Sequence, residues 1–264
     1  MTRSIIIAGA CIAIAVALYF GVFAFFRAEP VTLSSATIEM APGEAGTANV
    51  YVQIINGEVP DVLIGASSAE AQTVEIVGTT GEGGLPIPAD SNASLAGDGA
   101  HLMMSGIDGS LEEGRLVPIA LEFERSGEVT TRAIVGPPAD PHAMHRMMAT
   151  MQSADTAMTA PGEPPPSLEM TVTPGEGGTW LVELTTEHFT FDDASDPPEH
   201  VPSHGHGHLY LNGLKLQRVY SENAEIGQLA PGTYIVSVSL NTNTHMPYTD
   251  DNGLVSAEAT ITVE

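Results

Sequence analysis

Residues 199–212, EHVPSHGHGHLYLN, hold four of the chain's nine histidines within nine positions: His200, His204, His206 and His208. Neutral imidazole is a ligand for copper and zinc, and a cluster of imidazoles on one strand face would hold such an ion. The following residues predict how the rings are presented. Leu209, Leu211, Leu214 and Leu216 alternate around Asn212-Gly213, a dipeptide that favours a two-residue type I′ turn. In that register Leu211 faces Leu214 and Leu209 faces Leu216, forming one apolar face. The two-residue period then places His204, His206, His208 and Tyr210 on the opposite face, with successive histidines about 6.6 Å apart along the strand. Gly205 and Gly207 leave the other side bare, which suits a bend or close backbone approach. The plainer alternative is a solvated, His-rich strand end.

Other soft or imidazole donors are spread along the chain. His245 lies in TNTHMPY, just after the strand pattern of 234–240, and meets the cluster if that end of the fold also holds the start of the hairpin. His188 is expected on another strand. Residues 137–166 carry His142, Met144, His145, Met147, Met148, Met151 and Met158 between proline-rich flanks, the composition of a linker. Met144, Met147, Met148 and Met151 have helical spacing, so a short helix covering a surface with flexible methionines is one reading. The tract has no Leu, Ile or Val to build a core. Its mixture of thioether and imidazole therefore points to a copper-binding segment, soft enough for Cu(I). A further pair, His101 and Met103, stands two residues apart on a predicted strand.

The elements that must position these groups read as β-structure. The chain has 264 residues, 43% of them hydrophobic, with 27 Gly and 19 Pro and few long helical patterns. Runs VYVQII, DVLIGA, TVEIVG, HLMMSG, LVPIALEF and VTTRAIVG, separated by turn residues, predict a sandwich or small barrel over residues 31–136. TWLVELTTEHFTF, the His hairpin, PGTYIVSVSL and VSAEATITVE predict a second, His-rich β-sandwich over 167–264. The net charge is −25 with only 8 Lys+Arg. No basic patch can be assembled on such a chain to neutralise phosphates, which argues against a nucleic-acid partner and favours cation capture.

Residues 5–26 contain no charge and are long enough to span a bilayer as a helix, with Arg3 before them. The run ends in FAFFRAEP without a good cleavage site, so residues 1–30 are expected to be an uncleaved membrane anchor rather than a signal peptide. That topology places a single-pass protein in a bacterial inner membrane with its domains in the periplasm, or free in the periplasm if the segment is removed. Cys11, the one cysteine, falls inside the span, so no disulfide can form within the chain.

The stretches AGTANVYVQIINGEVPDVLIGASSAEAQTVEIV and IPADSNASLAGDGAHLMMSGIDGSLEEGRLVPIALEFERSGEV resemble the PCuAC copper-chaperone domain. The likeness covers about a hundred residues, 31–136, and includes the family's His-x-Met pair at His101 and Met103. It implies a cupredoxin-like β-barrel or sandwich that binds copper and delivers it to a cuproenzyme such as cytochrome c oxidase, or to its assembly factors. In that family copper is held by one His, one Met and the later His-x-Met. The earlier His position falls at Val77 here, and no Met occurs between Val77 and His101, so two of the four implied ligands are missing.

The expectation for the whole chain is an all-β, membrane-anchored, non-enzymatic copper protein. Its candidate ligands are His101, Met103, the 142–151 tract, His200, His204, His206, His208 and His245, with copper as Cu(I) or Cu(II) preferred to zinc. One alternative is a metal-dependent enzyme with Glu199 as base at a His-ligated centre, although no nucleophile–base arrangement is recognisable. Another is an interaction module that has lost its metal. A blue-copper site is disfavoured because it needs a cysteine outside the membrane.

Overall fold

Alternating apolar and polar residues drive the chain into strands almost throughout. The computed structural model describes residues 31–41, 44–109, 111–137, 164–192, 201–250 and 253–264. In its first region the strands are β1 (Thr32–Met40), β2 (Thr47–Ile55), β3 (Asp61–Ser67), β4 (Thr73–Val77), β5 (Leu85–Ile87), β6 (Asn92–Leu95), β7 (His101–Ser105), β8 (Leu116–Phe123) and β9 (Gly127–Val135). In the second they are β10 (Ser167–Pro174), β11 (Trp180–Glu187), β12 (Thr190–Phe191), β13 (His204–Leu211), β14 (Leu214–Val219), β15 (Asn223–Ile226), β16 (Gly232–Thr242), β17 (Thr249–Asp250), β18 (Gly253–Leu254) and β19 (Ser256–Val263). The fold is an all-β sandwich. The predicted membrane helix at residues 5–26 lies outside the described residues, as do His142, Met144, His145, Met147, Met148, Met151, Met158 and His200. Among the described residues no helix is long and apolar enough to cross a membrane.

In the first region, β1 runs antiparallel to β2 and parallel to β9, and β8 and β3 continue the sheet. β2 also pairs with both β6 and β7, which folds the sheet over its own core of Ile38, Val50, Val52, Ile54, Leu102 and Leu121, all 1% exposed or less. Buried Asp61 ties β3 to the β8–β9 turn by accepting from the Arg125 and Ser126 backbone amides and the Ser126 hydroxyl. In the second region β19, β16, β13 and β14 form one antiparallel layer, and β10, β11 and β15 form a separate three-stranded sheet. Val182, Leu184 and Ile226 of the smaller sheet belong to one buried cluster with Val236, Val238 and Leu209.

The two regions share that cluster and a seam of backbone hydrogen bonds. The Asn212-Gly213 turn forms as expected, with φ of 49° and 87°. Its tip is docked into the first region. The Thr80 amide donates to the Asn212 carbonyl, and the Ala100 amide donates to the Gly213 carbonyl at 2.8 Å. β14 also meets β6 at Lys215 and Ser94.

The hairpin register differs from the simple reading at one point. Leu211 pairs with Leu214 and Tyr210 with Lys215, but Leu209 pairs with Gln217. A bulge therefore inserts one extra residue, Leu216, and the expected Leu209–Leu216 pairing is lost. Leu216 is still buried, so the bulge keeps the apolar face while bringing His208 opposite Arg218.

Candidate metal centre

β13 is central: β14 flanks it on one side and β16 on the other. Both of its faces are buried from Gly205 onward, so its histidines do not form a solvated strand end. His206 is 0% exposed and His208 3%. Gly205 is what permits such close packing, since a Cβ there would collide with the Asn241 carbonyl oxygen of β16.

His245 arrives from the end of β16. Gly205 pairs with Thr242 and His206 with Asn241, so the residues after Thr242 turn back over the start of β13. That turn is closed locally. The Thr242 amide donates to the Met246 carbonyl, the His245 amide to the Thr242 carbonyl, and the Met246 amide to the Thr242 hydroxyl. His245 itself sits at φ 64°, a left-handed conformation that costs a non-glycine residue about 1–2 kcal/mol. A second apolar cluster of Leu240, Tyr248 and Val255 braces the loop from beneath, and the Tyr248 hydroxyl donates to the His204 carbonyl at 3.0 Å.

The ligating atoms of His206, His208 and His245 all lie within 4.8 Å of one another. The Nε2 atoms of His206 and His208 are 3.0 Å apart. With metal–imidazole bonds of about 2.0–2.1 Å, two neighbouring ligands of one ion sit at roughly this separation. The His245 ring stands edge-on to His206, with centroids 4.9 Å apart, and is the exposed member of the three.

The hydrogen bonds fix the ring tautomers. His208 Nδ1 is 2.8 Å from Asp98 Oδ2, and a carboxylate only accepts, so Nδ1 carries the proton. The Nε2 lone pair is thereby turned toward His206. This is the carboxylate–histidine arrangement that orients metal ligands and raises their basicity. Asp98 Oδ2 also accepts from Lys215 Nζ at 2.6 Å and from the Tyr210 hydroxyl at 3.1 Å. Lys215 Nζ also lies 3.0 Å from His208 Nδ1; as two donors they converge on the same Asp98 oxygen. The Nδ1 of His206, the ring nitrogen not facing His208, is buried with no hydrogen-bond partner.

The electrostatics keep the rings neutral. Burial, with the neighbouring His208 and His245, lowers the His206 pKa to about 3. Burial also lowers His208, against the opposing pull of Asp98, and lowers His245, with Arg218 adding to the effect. Burial alone would raise the Asp98 carboxyl, but its hydrogen bonds to His208 and Lys215 and their charges hold it well below the usual range. Three neutral imidazoles suit Cu(I), Cu(II) or Zn(II).

The other sequence candidates are placed elsewhere. Among the described residues, the one grouping of three or more His, Cys, Asp or Glu donors close enough to hold an ion is His206, His208 and His245. His204 begins β13 and turns its Nδ1 toward Asp192, 3.6 Å away. His188 lies in the exposed turn between β11 and β12, with φ 54°, rather than on a strand. His101 and Met103 are half-buried on one face of β7. Val77 pairs directly with His101 and Glu75 with Met103, so the missing histidine position lies beside the ligand pair that remains. Asp98 and Lys215 were not picked out by the sequence reading. No local pattern marks Asp98, which stands 110 residues from its imidazole partner.

Residues 31–135 match a family described as "Putative lipoprotein LpqE-like". No curated protein matches the chain. The solved structures similar to it include the "Copper-bound PCuAC domain from PmoF2", at 27% identity, covering 43% of this chain and 97% of that one, with a TM-score of 0.38. The "Apo PCuAC domain from PmoF1" gives 25% identity, 43% and 98% coverage, and a TM-score of 0.39. The solution structure of Cu(I)-DR1885 from Deinococcus radiodurans gives 28%, 44% and 85%, and 0.37. The matched stretch contains His101, Met103 and Asp98; the three-imidazole cluster lies beyond it, in the second region.

Proposed function

We propose that this is a non-enzymatic copper-binding protein of the bacterial envelope that carries or buffers copper for a cuproenzyme. Its principal site is formed by His206, His208 and His245. The observation that carries the reading is the convergence of these three neutral imidazoles, with ligand atoms within 4.8 Å of one another and Asp98 fixing one ring. Imidazole alone does not separate copper from zinc. The choice of copper is supported by the PCuAC-related first domain and by the soft donors His101, Met103 and the Met/His tract of 142–151. The lipoprotein description of the matched family supports an envelope location. In this reading residues 1–30 anchor the chain, 137–166 link the two regions and supply a Met/His copper-binding segment, and cytochrome c oxidase or its assembly factors receive the ion.

One observation favours a second reading. Three histidines with one of them exposed is also a ligand set found in catalytic zinc centres. The two readings separate on metal analysis of protein purified without an affinity tag, followed by replacement of His206, His208 and His245. Copper bound through these residues supports the first; zinc in stoichiometric amount refutes it.

A further inference from the structure

His245, the exposed member of the three-imidazole cluster, opens onto the same cleft as His101. This cleft, of about 410 Å³, is lined by His101, Asp98 and the glycines beside it from the first region, and by Tyr210, Ser239, Asn241 and His245 from the second. A shallower groove of about 230 Å³ continues from it along the same wall, sharing Asp98, Tyr210 and Ser239 and ending near Glu258. His101 and His245 are thus two imidazoles lining one space, one from each region. The intervening Asp98 carboxylate is already bonded to His208, a member of the inner cluster.

The ring of His101 is prepared as a ligand. Its Nδ1 is 3.0 Å from the Gly99 carbonyl oxygen, which can only accept, so Nδ1 carries the proton and Nε2 keeps its lone pair. His101 is only half-buried and stands alone as an imidazole on its strand, so it can bind an ion weakly and release it. The inner cluster offers three rings, two of them buried. The gradient in ligand number therefore runs from His101 inward. The cleft also carries oxygen groups that tolerate a passing cation: the Asp98 carboxylate, the Tyr210 and Ser239 hydroxyls and the Asn241 amide.

We propose that this cleft is an ion-transfer path, in which copper captured at His101 passes by ligand exchange through His245 to His206 and His208. The proposal rests on the copper reading above and adds a direction and an outer ligand to it. No electron moves: the ion keeps its oxidation state and exchanges one imidazole for the next.

The test uses the full chain and Cu(I) presented as its coloured bicinchoninate complex, with loss of colour followed by stopped flow and affinity read at equilibrium. Two variants separate ligand from path. His101→Gln removes the ligating nitrogen while its side-chain amide can still donate to the Gly99 carbonyl. Leu254→Trp fills the cleft from an exposed lining position on β18, whose strand partner is β17 and not the histidine strand. Both should slow loading by roughly tenfold or more, as expected when a focusing cleft is lost. Both should leave equilibrium affinity within about twofold, because neither residue is strand-paired with or hydrogen-bonded to the inner cluster. A wild-type loading rate in either variant overturns the path while leaving the copper site standing. Failure of the unaltered protein to take up Cu(I) overturns both proposals together. Far-UV circular dichroism of each variant establishes that a slow rate reflects a folded protein.

Discussion

The two regions of the molecule present histidine in opposite ways. In the first, His101 and Met103 lie half-buried on a strand whose facing positions are Val77 and Glu75. In the second, His206 and His208 are buried on a central strand, met by His245 from a braced turn, and held by a carboxylate from the other region. The first carries the family signature with few donors; the second carries the donors without the signature. The difference teaches that a recognisable domain need not own the chemistry of its chain. What sets the second grouping apart is burial and convergence within its own region, with one tautomer fixed by Asp98 from the first.

That contrast can be broken most sharply at the inner ligands. His208→Ala should weaken copper binding by more than about a hundredfold, beyond what loss of an outer-shell partner costs. His101→Gln should leave equilibrium affinity nearly unchanged. Equal losses in competition titrations would erase the distinction between the regions.

The next largest effect concerns Asp98, the residue through which the first region reaches the second site. Asp98→Asn should cost about 10- to 100-fold in affinity, since an amide cannot match the carboxylate that orients His208 and balances Lys215. Unchanged affinity would mean that the second region builds its site unaided.

Gly213→Ala sharpens the coupling between the regions. Gly213 has φ 87°, and a Cβ would run into the Gly78 carbonyl oxygen of the first region. A loss on the order of 1–3 kcal/mol is expected in denaturant unfolding, with one transition for both regions. Two separate transitions would show that the seam contributes little.

The pH dependence has a definite sign. The His206 pKa is lowered on folding, to about 3, so the unfolded chain binds more protons between that value and about 6.5. The stability of the metal-free protein should therefore fall as pH drops through this window, by at most about 1.4 kcal/mol per pH unit from this residue. Above the window the contribution is complete. His206→Gln should flatten the slope; an unchanged slope would place the titration elsewhere.

Much of this arrangement was legible in the sequence because it is local. The period-two pattern located the main strands of both regions, Asn212-Gly213 fixed the turn, and the His-x-His spacing put His206 and His208 on one face. His245 was legible as a residue at a strand end. Short strands such as Leu85–Ile87 and Asn92–Leu95 lack enough alternation to be seen, and β1 carries too mixed a pattern. The bulge at Leu216 is set by packing between sheets rather than by its neighbours. The departure of His204 toward Asp192 depends on β12, which joins β13 from outside the hairpin. Asp98 and Lys215 gain their roles only once the hairpin tip has docked, and no linear pattern carries that information.

The most direct measurement is X-ray absorption spectroscopy of the full chain loaded with one equivalent of Cu(I). The three-imidazole site predicts a first shell of nitrogen scatterers with the multiple scattering of histidine rings, lost in a variant lacking both His206 and His208. A first shell containing thioether sulfur, or one unaltered in that variant, would place the principal site at Met103 or the methionine tract and contradict the central claim.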